Sequence, residues 1–211
     1  MQNIVEALNW RYAVKAFDPN KKISDQQLNT LLESLRLSPS SFGLQPWKFI
    51  VVKNPEVRAK LREVSWGQSQ ITDASHLIVF AVETKIDDEF IDQYLKSIVE
   101  TRGVPLEALN EYATMMKGFV NARTPEDRLK WATNQAYLAM GVLMAAAATE
   151  QIDTTPMEGF DPKAYDEILG LTEKGLAAKI VAAVGYRSAD DMFAGFKKVR
   201  YPQSEVVMVV E

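Results

Sequence analysis

The sequence contains no cysteine and a single histidine, His76, in 211 residues. The first absence excludes a disulfide framework, a thiol nucleophile, an iron–sulfur cluster and Cys-ligated zinc, and one histidine cannot build a His-based metal site alone. No metal is expected, and any redox chemistry needs a borrowed cofactor. An excess of charge is also missing: 24 Lys and Arg stand against 28 Asp and Glu, for a net charge of −4 with the basic residues scattered. Neither nucleic acid nor a membrane is therefore an expected partner. The longest apolar run, Ala136 to Ala148, has 13 residues, short of the about 18 that a spanning helix needs. Its small residues and missing polar face suggest a helix covered all round, and burial between two chains is the preferred version. The segment from Met1 to Phe17 interleaves Glu6, Arg11 and Lys15 with apolar residues. It lacks the continuous apolar stretch of a signal peptide, so the chain reads as cytoplasmic.

What is present is an ordinary globular composition, 47% apolar and 25% charged, with no repeat or long linker, and the simplest organisation is one domain over residues 1–211. Asn3 with Glu6, and Ser24 with Gln27, resemble capping pairs ahead of amphipathic helices. Trp47 to Lys53 reads as a strand, followed by a helix from Asn54-Pro55 to about Glu63, and Leu77 to Val82 reads as a second strand. Asp87-Asp88 opens a helix to about Arg102, Pro105 begins another, and Thr124-Pro125-Glu126-Asp127 starts a long one. Asp161-Pro162 begins a short helix ending near Gly170. Ala177 to Tyr186 gives a third strand and Glu205 to Val210 a fourth. The connections are too long for hairpins, so helices should pack on both faces of a mixed sheet in an α+β fold. The apolar terminal strand would be a sticky edge unless a partner's sheet covers it, which points to a homodimer.

Several residues could carry chemistry. Arg11 and Lys15 lie four apart and so converge on one side of either a helix or a strand, and Ala13 between them would let a ligand approach the backbone. Lys198 and Arg200 form a second pair on extended backbone before Tyr201-Pro202. Either pair alone is more often a solvated or edge-shielding charge. Ser38 to Trp47 is a polar loop between a Leu-striped helix and a strand, where binding residues commonly lie, although Ser-Pro-Ser-Ser is also plain turn chemistry. Pro156-Met157-Glu158-Gly159-Phe160-Asp161 is a turn whose glycine could bring backbone amides to a ligand beside the Glu158 carboxylate. The bland alternative is a helix entry capped by Asp161. His76 has no partner in view and is assigned no role.

Taken in order, Arg11…Lys15-Ala16-Phe17-Asp18, Ser38-Pro39-Ser40-Ser41 with Gln45-Pro46-Trp47, Asp73-Ala74-Ser75-His76, Pro156 to Asp161, and Lys198-Val199-Arg200 with Pro202 resemble the nitroreductase family over nearly the whole chain. The likeness is strongest to the oxygen-insensitive bacterial NAD(P)H nitroreductases, relatives of the dihydropteridine reductases. It implies a homodimeric α+β flavoprotein with FMN in clefts at the subunit interface and a C-terminal strand exchanged with the partner. On that resemblance Arg11, Lys198 and Arg200 would hold the FMN phosphate, and Lys15 would sit by flavin N1 and O2. Pro156, Glu158 and Gly159 would line the ring near N5, and Pro39, Ser40 and Ser41 would touch the ring edge and ribityl chain. Gln70 and Gln68 occupy the stretch that holds the flavin's polar edge in relatives. Lys15 and Glu158 are thus the expected catalytic residues. The chain departs from the family pattern at Gly43 and Gly67, where relatives commonly have Asn, and at Tyr12-Ala13, which replaces a His-Ser type pair in the same cofactor-contacting stretch.

The resemblance further implies that NAD(P)H and an acceptor (a nitroaromatic, a quinone or a flavin) stack in turn about 3.5 Å from the ring in ping-pong kinetics. A lid would come from the helices between Asp87 and Ala122. Phe119 and Tyr112 there are pocket aromatics or, about equally, simple helix packing. Two alternatives remain at this point: the same fold with a dehalogenating or flavin-fragmenting reaction, and a non-enzymatic interaction protein that would be colourless.

Overall fold

The computed structural model describes residues 3–211; the first two, part of the single domain expected over 1–211, lie outside the described residues. The helices are α1 (Ile4–Trp10), α2 (Asp25–Arg36), α3 (Pro55–Glu63), α4 (Gln70–Asp73), α5 (Asp88–Arg102), α6 (Asn110–Asn121), α7 (Pro125–Thr149), α8 (Pro162–Leu169) and α9 (Gln203–Val206). The strands are β1 (Trp47–Val52), β2 (His76–Glu83), β3 (Asp153–Met157) and β4 (Leu176–Gly185).

Local chemistry sets the helix starts. Asn3 Oδ1 accepts from Val5 N, Ser24 and Gln27 form a reciprocal capping box, and Asp87, Thr124 and Asp161 each accept from amides of the first turn. Pro105 precedes a single 3-10 turn, Leu106–Leu109, and α6 begins only at Asn110. The strands form one sheet in the order β1-β2-β4-β3. Period-2 alternation divides the two central strands between two cores. Ile78, Phe80 and Val82 of β2, with Ile180, Ala182 and Val184 of β4, pack against α2, α5, α6 and α7. Leu77, Val79 and Ala81, with Ala178, Val181 and Ala183, pack against α3, α4, α8 and the chain around Val14 and Phe17. The α+β class with helices on both faces is thus present.

Four particulars differ from the sequence reading. The sheet is antiparallel rather than mixed: every strand pairing is antiparallel, and the parallel contact is an isolated bridge from Ala13 to Thr154. β3 went unread because Asp-Thr-Thr-Pro-Met is short and polar, yet Pro156 is tolerated there since β3 is an edge strand. Glu205 to Val210 is not a strand. Its first residues belong to α9, and Val206 to Val210 are exposed, because this chain offers them no neighbouring strand to pair with. Within one chain the apolar run on α7 is covered on one side, and its burial between two chains stays a proposal. Ala136, Ala139, Met140, Leu143, Ala147 and Ala148 are buried, whereas Tyr137 and Leu138 are exposed.

One buried cation holds the entry to β2. Arg58 of α3 donates to the carbonyls of Ile71 (2.7 Å), Ala74 (2.7 Å) and Ser75 (3.1 Å), which close α4 and lead into the strand. Burial lowers its pKa, but a guanidinium remains charged there and supplies donors to acceptors that α4 leaves unpaired. Replacing Arg58 by Met leaves these three buried carbonyls unsatisfied, at a cost of about 3 kcal/mol. Thermal unfolding followed by circular dichroism should show a midpoint lower by about 6–12 °C; an unchanged midpoint would show that water takes over the role.

Candidate active site

The site begins where α1 ends. Arg11 is the extended C-cap residue of α1, and the chain then runs beside β3, pinned by the Ala13–Thr154 bridge and by Thr155 Oγ1 donating to Val14 O (2.6 Å). Lys198 Nζ donates to Leu8 O (2.7 Å) and to Arg11 O, so the ammonium caps carbonyls left free at the helix C-terminus, where the dipole favours a cation. Burial first, and then the like charge of Arg200, lower the pKa of Arg11. Burial, Arg11 and Arg200 lower that of Lys198. Three cations are therefore held close enough to repel, with no carboxylate hydrogen-bonded to any of them among the described residues.

These residues wall a cavity of about 590 Å³ lined by Arg11, Tyr12, Ala13, Pro156, Lys198 and Arg200, with the aromatic rings of Trp10, Phe193 and Phe196. Among the described residues, Arg11 Nε, Tyr12 Oη and Thr154 Oγ1 are the buried side-chain atoms without a well-formed hydrogen bond. Burial and the neighbouring Asp191 carboxylate push the Tyr12 phenol up to about 12, so it is a neutral donor at any physiological pH. Behind the cavity, Arg187 grips the buried Asp153 carboxylate (Nη2–Oδ1 2.5 Å) and lies 4.3 Å and 4.5 Å from the ring centres of Trp10 and Tyr12, which fixes both aromatics.

A second cavity of about 390 Å³ shares Met144 and Pro156 with the first and is otherwise lined by Tyr137, Met140, Gly141, Met157, Glu158 and Ile180. The Tyr137 hydroxyl donates to Glu158 Oε1, and burial together with that bond pushes Tyr137 up to about 12. Gly159 follows Glu158, and a Cβ there would stand 2.6 Å from Cζ3 of the exposed Trp66 and 3.0 Å from Gln68 Nε2, so a larger residue would have to displace the Trp66 ring. Gln68 holds this turn by donating to Gly159 O (2.7 Å) and Ser65 O (3.1 Å).

The sequence-derived residues thus separate into groups. Arg11, Tyr12, Ala13, Pro156, Lys198 and Arg200 share the first cavity, and Glu158 faces the second, adjoining one. Gln68 and Gly159 form the turn beside Glu158. Lys15 is exposed and its side chain lines neither cavity, while its amide donates to Asp191 Oδ2 (2.8 Å). Pro39, Ser40 and Ser41 line neither cavity: Ser40 Oγ accepts from Gln45 N (2.9 Å), and Ser41 N donates to Gln135 Oε1 (2.8 Å). Gln70 is buried in α4, away from both. Tyr112 and Phe119 pack on the loop instead, Tyr112 Oη donating to Phe42 O (2.9 Å) and the Phe119 ring lying 4.9 Å from that of Phe42.

Tyr137 and Met144, unread in the sequence, carried a signal: positions 137, 140, 141 and 144 form one i, i+3, i+4, i+7 stripe of α7. Phe193, Phe196 and Asp191 carried none, since they lie in an irregular segment whose partners are far away in sequence.

The profile of the nitroreductase family matches residues 8–186. YfkO of Bacillus subtilis strain 168 is 40% identical over 198 residues, covering 89% of this chain and 90% of that protein. SSP0379 of Staphylococcus saprophyticus is 35% identical over 218 positions, covering 100% and 98%. Both are provisionally named NAD(P)H nitroreductases. Among solved structures, ydfN of Bacillus subtilis superposes with a TM-score of 0.86 at 21% identity, covering 98% of each chain. A nitroreductase-type protein of Exiguobacterium sibiricum in complex with FMN superposes with a TM-score of 0.84 at 24% identity, covering 100% of this chain and 98% of that one. The structural likeness shows the fold, and the sequence match, which runs from the end of α1 through β4, makes this chain a member of the nitroreductase family.

Proposed function

We propose that residues 1–211 form one FMN-binding domain of a cytoplasmic NAD(P)H oxidoreductase that reduces nitroaromatics, quinones or flavins. The observation that carries this reading is the cluster of Arg11, Lys198 and Arg200 on a cavity that opens, past Met144 and Pro156, onto an apolar one. FMN fits the residues present. Mutually repelling cations, one with an orphaned Nε, suit a phosphate dianion, and the buried Thr154 hydroxyl suits a polar atom of a ribityl chain or ring edge, whereas the Tyr12 hydroxyl is turned toward Asp191.

FMN, when bound, supplies a hydride relay that takes two electrons from a nicotinamide and passes them to the acceptor in turn. The rest is the chain's own work. Arg11, Lys198 and Arg200 would hold the FMN phosphate. Lys15 would bring positive charge to the pyrimidine edge, where reduction builds negative charge. Met140, Met144 and Met157 exclude water from the apolar cavity, and Tyr137 keeps Glu158 oriented at its mouth.

A second copy of the chain completes the site in this reading. Pro39, Ser40 and Ser41 lie outside both cavities, while Ile4, Val5, Leu8, Tyr137, Leu138 and the tail from Val206 to Val210 are exposed. A partner that covers α1, α7 and the tail would bring its own serine loop to this cleft and give the tail a strand to pair with.

The first test is an absorbance spectrum of the purified protein before and after anaerobic NADH and then NADPH. Flavin bands that bleach support the reading, and protein that retains no flavin once FMN has been added and the excess removed overturns it. Arg200→Ala should weaken FMN binding about tenfold or more while leaving the reduction rate of saturated enzyme intact. Lys15→Ala should slow reduction itself by about tenfold. Stopped-flow reduction at saturating FMN separates the two, and equal rates for wild type and Lys15→Ala would remove the charge role. Deleting residues 206–211 should yield monomer on sedimentation and FMN loss on gel filtration; a dimer that retains FMN would exclude strand exchange.

A further inference from the structure

Asp191 is 4% exposed and belongs to neither cavity wall. Its Oδ2 accepts from Lys15 N (2.8 Å) and Ala16 N (3.1 Å), and its Oδ1 accepts from Phe193 N (3.0 Å). The first two amides lie in the segment that carries Arg11, Tyr12 and Lys15, and the third opens the segment that carries Phe196, Lys198 and Arg200. The two are joined across 176 positions of sequence. Among the described residues, the hydrogen bonds that tie residues 191–200 to the chain outside 188–200 come from two groups, the Asp191 carboxylate and the Lys198 ammonium. Lys198 brings a like charge toward Arg11 and so ties the segments against repulsion. Asp191 is the anionic tie, and its buried carboxylate stays below the usual range: burial alone would raise it, but the amides of Phe193, Ala16 and Lys15 outweigh that.

We propose that Asp191 is a positioning residue that clasps the 11–16 and 193–200 segments, so that their cations form one anion cradle. The proposal rests on reading that cradle as the phosphate site for FMN. Only a carboxylate can do this, because both of its oxygens accept. An asparagine of the same shape has one accepting oxygen and one NH2, which must face a backbone N–H on one side or the other. Asp191→Asn therefore keeps the shape of the side chain but loses its bonds either to Lys15 and Ala16 or to Phe193, while Ser188 N still donates to Ala16 O (2.8 Å).

The test has two arms on the full chain. In the FMN-free protein, NMR hydrogen exchange should show Asp191→Asn losing protection at Lys15 and Ala16, or at Phe193, with the core strands unchanged. Unchanged protection at all three overturns the clasp, and this arm holds even if wild type binds no FMN, which would instead end the reading of the site. In the second arm, FMN titrations should give a dissociation constant raised about tenfold by Asp191→Asn, but by less than twofold in the Arg200→Ala background, because there the cradle is already broken. Equal tenfold losses in both backgrounds would mean general destabilisation and overturn the positioning role. If Asp191→Asn does not fold, the wild type decides: a shared opening free energy for the Lys15, Ala16 and Phe193 amides supports the clasp, and unrelated values overturn it.

Discussion

Repulsion among Arg11, Lys198 and Arg200 is the constraint around which this end of the molecule is arranged. Three cations do not gather on their own; each must be brought by something with enough stability to spare. Arg11 comes with the C-terminus of α1, whose packing against α7 is anchored by the fully buried Ala7. Lys198 comes because its ammonium satisfies carbonyls that α1 leaves open, and Arg200 follows two residues later on the same stretch. Opposing charge enters only behind and below, as Asp153 under Arg187 and as Asp191 among backbone amides. Among the described residues, the cavity face carries no carboxylate to compete with a bound anion.

The sheet makes this arrangement possible by being buried on both sides. β2 and β4 carry apolar residues on alternate faces, so one layer of helices is committed to each core, and the extended stretch after α1 is laid against β3 at the sheet's edge. Because β3 is an edge, Pro156 fits there and stands between the two cavities, and Glu158 emerges just past the strand's end. An interior strand would have had no room for either.

Legibility in the sequence tracked the range of the interaction involved. Helix starts were readable from Asn3, Ser24, Asp87, Thr124 and Asp161 because a cap is a contact of two or three residues. The central strands were readable because double burial leaves continuous apolar runs. β3 was not, since its Thr-Thr-Pro core is shaped by one neighbour and by the Ala13 bridge, neither of them local. The tail from Val206 to Val210 has the composition of a strand, but pairing is a property of two segments, and one chain supplies only one of them. For the site, convergence of Arg11 with Lys198 and Arg200 was legible as a set of separated motifs matched to a family. Asp191 stayed invisible because the Lys15 and Ala16 amides it holds lie 176 and 175 positions away, beyond the reach of any local capping pattern.

The two faces of α7 have a further consequence. The stripe at 137, 140, 141 and 144 walls the apolar cavity, and the small residues Ala132, Ala136 and Ala139, with Leu143, press the neighbouring stripe of the same helix into the core. A helix moves as a rod, so a methylene added at Ala136 or Ala139 lifts Tyr137 and Met144 as well and reshapes the cavity from a position that never touches its contents. The width of that cavity is therefore inherited from core packing. Variation in the cavity's shape between related chains should instead accumulate in the loop around Glu158 and in the Trp66 to Gln68 turn that supports it, where side chains change without shifting a helix.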